Sequence, residues 1–133
     1  MEQYSALPCV LLYNFKPDER TQSIELQCRR MGVQCRMMVK AEQQRTLGAL
    51  LTLPGHERDA VQLSASFDEE LMVMAGFSSW MLDAMLDFFR AEELRRVELK
   101  AMLTPTNAGW TASQLYKHMI LERAALQKKK ARA

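Results

Sequence analysis

Lys100 is the residue whose type and setting most directly suggest chemistry. It interrupts an apolar strand pattern (Val97, Leu99, Ala101, Leu103) and heads the run Lys100-Ala101-Met102-Leu103-Thr104-Pro105-Thr106-Asn107-Ala108-Gly109-Trp110. A lysine so placed either clamps an anion with an ammonium of perturbed pKa, or lies along an edge strand with its charge in water. Pro105 fixes its own φ and holds Thr104 extended, so the strand must stop there. Asn107 and Gly109 tolerate left-handed dihedrals, and Thr111 with Gln114 three residues on forms a capping box that opens a helix. Trp110 either staples that cap or faces a ligand. Asn14, Lys16, Gly76, Phe77, Ser78 and Ser79 are further loop residues able to donate hydrogen bonds or free backbone N–H groups to an anion. The same residues are also the ordinary punctuation of turns and helix starts.

Catalytic constellations are thin. The chain has no Gly-rich phosphate loop and no Gly-x-Ser-x-Gly elbow, and Asp83, Asp87, Glu92 and Glu93 read as a solvated helix face. The three cysteines Cys9, Cys28 and Cys35 lie in apolar patterns without Cys-x-x-Cys spacing, as buried reduced thiols would. His56 and His118 are too far apart in sequence to suggest a metal site, so neither metal nor cofactor is expected.

These residues must be positioned by a framework that reads as two similar halves. Cys9–Tyr13 is a continuous apolar strand followed by Asn14-Phe15, and Pro17-Asp18-Glu19 begins a helix with its buried stripe at Thr21, Ile24, Cys28 and Met31. Gly32 ends that helix, Val33 to Val39 alternates as a half-exposed strand, and a second helix is expected from Ala41 to Leu53. The second half repeats the order. Leu71–Ala75 is apolar, Gly76-Phe77 follows, and Ser78 or Ser79 caps a helix carrying Leu82, Met85, Leu86 and Phe89. The alternating strand Val97–Leu103 then leads to the last helix. Residues 54–70 are an irregular connection.

Fully apolar strands belong in the middle of a sheet and alternating ones at its edges, which gives the order 2-1-3-4. The expected fold is therefore α/β, a small, mostly parallel four-stranded sheet built from two βαβα halves with right-handed crossovers. A ferredoxin-like α+β sheet is the alternative and requires a strand in 60–66. In a parallel sheet the loops Asn14-Phe15-Lys16 and Gly76-Phe77-Ser78 would meet at the switch point, with Thr104–Asn107 beside them, forming a pocket for a small anionic ligand.

With 133 residues, 48% of them hydrophobic, residues 1–127 suit a single domain, followed by a basic tail at 128–133. The net charge of +2 owes much to Lys128, Lys129, Lys130 and Arg132, so it does not argue for nucleic acid. Met1-Glu2-Gln3-Tyr4 opens without a secretory pattern, no apolar run is long enough for a membrane span, and a cytoplasmic location is expected. Ten methionines suggest flexible core filling. Met38 and Met102 are expected to face outward on edge strands, where a homodimer could form.

The Gly76-Phe77 pair and the residues Lys100, Ala101, Leu103, Thr104, Pro105, Thr106, Asn107 and Trp110, with Leu115 and Glu122 after them, resemble the bacterial family named domain of unknown function 3783. The resemblance spans about 71–126 and implies a bacterial protein without bringing an activity. The expected function is a non-enzymatic ligand-binding or protein-interaction module. The alternative is an enzyme acting on a small phosphorylated or carboxylated metabolite, with Lys100 and Asn107 stabilising charge.

Overall fold

The computed structural model describes residues 7–62 and 64–132, so Met1–Tyr4 and Ala133 lie outside the described residues. Strand β1 (Cys9–Tyr13) leads through helix α1 (Glu19–Arg30) to β2 (Gln34–Met38), then through a 3-10 turn to the short helix α2 (Leu47–Leu50). Strand β3 (Leu71–Ala75), helix α3 (Ser79–Ala91), β4 (Leu99–Met102), a second 3-10 turn (Asn107–Gly109) and helix α4 (Ala112–Arg132) repeat that order. The sheet order is β2-β1-β3-β4. Every residue of β1 and β3 is buried, while the edge strands β2 and β4 are partly open, as their apolar and alternating sequences require.

The sheet is mixed rather than mostly parallel. β1 pairs parallel with β2 and β3 with β4, but β1 and β3 run antiparallel, with Leu11 opposite Val73 and Cys9 opposite Ala75. The reason lies in the connection after β2. The expected helix over Ala41–Leu53 would have risen about 20 Å, enough to carry the chain back for a parallel strand. Instead, Arg45 and Thr46 are extended, and Thr46 Oγ1 caps a new helix by accepting from Ala49 N. The four-residue α2 that results rises only about 6 Å, against about 17 Å for a five-residue strand. Asn14 and Gln43 then bind the backbone at Phe67 and Glu69, so β3 begins at the end of the sheet where β2 finished. No strand forms in residues 60–66 among the described residues, so the ferredoxin-like arrangement is not seen.

Reversal of β3 puts α1 and α3 on one face, over Val10, Leu12, Met72 and Met74. The other face, formed by Leu11, Tyr13, Leu71 and Val73, is covered by α2, α4 and Phe67. The two βαβα units are thus related by an approximate two-fold axis between Leu11 and Val73. Asn14 and Gly76, the residues that follow β1 and β3, both have positive φ (64° and 70°). Thr46 and Thr111, each before a helix, meet across that axis in an antiparallel bridge.

Two local expectations change. Cys9 and Cys28 are buried but Cys35, on an edge strand, is only half-buried. Met38 is buried against the α2 face while Met37 is the exposed neighbour, and Met102 is half-buried rather than turned out. Helix α4 continues through Lys128–Lys130 to Arg132, so the basic segment stands on a helix.

Candidate functional site

Antiparallel pairing of the central strands separates the two expected halves of the rim. Because Tyr13 lies opposite Leu71, the loop Asn14-Phe15-Lys16 is at the end of the sheet where β3 begins. Gly76, Phe77 and Ser78 follow the other end of β3, and the parallel pairing of β4 brings Thr104–Asn107 to that same end. The convergence of Asn14 and Lys16 with Gly76–Ser78 therefore does not occur, whereas that of Gly76–Ser78 with Thr104–Asn107 does.

Asn14 has a different occupation. Its Nδ2 donates to the carbonyls of Phe67 (2.9 Å) and Glu69 (3.0 Å), and its Oδ1 accepts from Gln43 Nε2 (3.1 Å). The buried Gln43 also donates to Phe67 O and accepts from Phe67 N, both at 3.0 Å. Together these amides latch the chain leading into β3 beside the end of β1. The Lys16 side chain is exposed, and its carbonyl accepts from Asp18 N and Thr21 Oγ1. Ser78 caps α3, its hydroxyl accepting from Met81 N.

In the Lys100–Trp110 run, Asn107 is only 7% exposed and all its polar atoms are used locally. Its Oδ1 accepts from Thr104 N (2.8 Å), its Nδ2 donates to Met102 O (3.0 Å), and its backbone N donates to Thr104 Oγ1 (3.1 Å). Thr111 and Gln114 form the expected reciprocal capping box. Trp110 packs on His118 with ring centroids 4.7 Å apart, and its carbonyl accepts from Leu47 N, which ties the two units together. Thr104, Pro105 and Thr106 are exposed.

Lys100 lies elsewhere on the same strand and opens into a cavity of about 450 Å³ between α3 and β4. Leu86, Phe89, Leu94 and Val97 supply its apolar lining, and Arg90, Arg96 and Glu93 complete it with Lys100. Lys100 is half-buried, and its Nζ donates to the carbonyl of Val97 at 2.7 Å. Desolvation, reinforced by the Arg96 charge, lowers its pKa from the ordinary lysine value. Arg90 and Arg96 pair with Asp87 (2.6 Å) and Glu98 (3.7 Å), but both pairs are well exposed, so their guanidiniums can turn to a ligand at small cost.

The cavity exists because of how α3 ends. Phe89 packs against the core under α3 but near the last turn is only half-buried, and the half-buried Leu86 stands outside that core. The chain then leaves through Glu93, which has positive φ, and the segment at Arg95 is held away by Arg20. Arg20 is 8% exposed, donates to Arg95 O (3.0 Å), pairs with Glu70, and sits 5.1 Å from the centre of the Phe15 ring. Of the cavity residues, only Lys100 stood out in the sequence as a site. Leu86 and Phe89 carried a core signal, Glu93 a solvated-face signal, and Arg90 and Arg96 no signal above ordinary surface charge.

The fold and cavity define a three-layer α/β protein made of two similar βαβα units, with a cation-rimmed apolar recess in the second. That second unit is where a known family matches: residues 70–126 fit the model for a domain of unknown function (DUF3783). No curated protein and no solved structure matches the chain. Among the described residues, no helix is long and apolar enough to cross a membrane.

Proposed function

We propose that this chain is a non-enzymatic binding module, bacterial and cytoplasmic, whose ligand occupies the α3–β4 cavity and presents a carboxylate or phosphate to Lys100. The observation that carries this reading is the half-buried ammonium of Lys100, paired with a carbonyl and facing an apolar recess rimmed by two guanidiniums. A cation partly stripped of water, with no carboxylate bonded to it among the described residues, is poised for an anion. The apolar lining favours a ligand with a hydrophobic body. An enzymatic role draws less support, because Asn107 is committed to its own loop and Glu93 is the one carboxylate lining the cavity among the described residues.

Lys100→Met tests the reading. Medium-chain carboxylates and aryl phosphates are expected to raise the Tm of the wild type but not of the variant, in thermal-shift titrations. The free variant is itself expected to melt higher than wild type, since methionine carries no charge to desolvate. Binding should weaken as pH rises through the lowered pKa of Lys100, where the ammonium is lost. Equal ligand response in the two proteins would exclude this cavity.

A further inference from the structure

Resting on that reading of the cavity, we infer that its occupant is an extended peptide of a partner protein, added as a fifth strand along β4 with an acidic and an apolar side chain entering the recess. Leu103 N donates to Met74 O at 2.9 Å, so Leu103 faces β3. Strand alternation then turns the backbone groups of Ala101 and Leu99 toward β3 as well, and those of Lys100 and Met102 outward. Met102 O already accepts from Asn107 Nδ2, and Thr104 N donates to Asn107 Oδ1. The carboxamide of Asn107 thus makes, at the end of this edge, the two hydrogen bonds that a neighbouring strand would make there. The N–H and C=O of Lys100 and the N–H of Met102 remain for an incoming strand, and no strand lies beyond β4 among the described residues.

The recess lies along this edge on the α3 side, so a strand laid on β4 would send every second side chain toward it. Leu86, Phe89 and Leu94 line the recess together with Lys100 and Arg96, so one side chain of the added strand would be directed to the apolar lining and the next on the same face, two positions along, to the cations. The fitting segment therefore has an acidic residue and a large apolar residue separated by one residue, a form of strand addition in which main-chain bonds give affinity and pockets give specificity. A second copy of this chain fits this edge poorly, because antiparallel pairing of β4 with itself about Lys100 would set the two Lys100 ammoniums opposite each other.

The test uses the full chain, isotopically labelled, and a short acetylated and amidated peptide of β-forming residues containing a glutamate and a leucine two positions apart. Saturating peptide is expected to slow hydrogen exchange at the amides of Lys100 and Met102 by about tenfold or more. Replacing the glutamate by glutamine, or Lys100 by methionine, should each weaken binding by about tenfold. N-methylation of the peptide at alternate residues should abolish binding in one register and spare it in the other. Binding without amide protection, or equal binding of both N-methylated peptides, would overturn strand addition. If medium-chain carboxylates bind and the peptide does not, the cavity reading survives and this inference fails; if neither binds, both fail. Concentration-dependent protection of the same amides without peptide would identify a second copy as the occupant and also overturn the inference.

Discussion

Two buried polar side chains stand in opposite situations, one fully hydrogen-bonded and the other without a partner among the described residues. Asn107 is buried and its side chain makes two local hydrogen bonds, so Asn107→Ala should cost about 2 kcal/mol in urea denaturation by leaving Met102 O and Thr104 N unpaired. Tyr13 is the contrary case. It is fully buried beside Phe67 and its hydroxyl has no partner among the described residues. Burial therefore drives its pKa well above the ordinary tyrosine value. Tyr13→Phe removes an unsatisfied polar atom without changing ring shape and should leave stability unchanged or raise it by about 1 kcal/mol. A loss above that size would mean that the hydroxyl is satisfied in solution.

Among the elements, the ends of α1 and α3 show one solution reached with different residues. After α1, Gly32 takes a φ of 73° and Val33 N bonds back to Cys28 O. After α3, Glu93 takes a φ of 50° and Leu94 N bonds back to Phe89 O, the same pattern with a side chain where glycine is preferred. Glu93→Gly should therefore stabilise the protein by about 1 kcal/mol, measured as a shift in the urea midpoint. It also removes the carboxylate from the recess, so anion binding should tighten in the same variant. Unchanged or reduced stability would show that the Glu93 side chain earns its place through a contact the backbone geometry does not reveal.

Across the whole molecule, charge fastens the connecting segments to the elements beside them. Glu69, just before β3, accepts from Arg123 of α4 at 2.7 and 3.1 Å and from Tyr116 at 3.4 Å. The Arg123 bonds hold its pKa below the ordinary value of 4.5. Thr46 and His56 do the same for Asp59, and the backbone N–H of Thr21 for Asp18. A carboxylate whose folded pKa is depressed contributes stability above its unfolded pKa and loses it as pH falls through the folded one. Tm should accordingly be flat near neutrality and fall below about pH 4.5, and Arg123→Met should flatten part of that fall. These groups are largely solvated, so the change for any one pair should be small. An acid limb identical in wild type and Arg123→Met would remove Glu69 from the account.

What the sequence determined by itself was the buried strands Cys9–Tyr13 and Leu71–Ala75, the sheet order, a cap at Ser78 or Ser79, the cap at Thr111, the turn at Asn107 and the two-part repeat. The strands, caps and turn follow from short-range rules, namely apolar runs, left-handed turn residues and capping hydroxyls, and the sheet order from which strands are apolar throughout. The direction of β3 was not determined in that way. It depended on whether 41–53 formed one long helix, and the extended Arg45–Thr46 step together with the Gln43–Asn14–Phe67 latch decided against it across 24 and 53 residues of sequence separation. The same limit applied to the recess. Its rim residues Arg90, Arg96 and Lys100 look like ordinary surface charges along the chain, and only the packing of α3 against β4, with Arg20 holding Arg95 aside, sets them around one apolar floor.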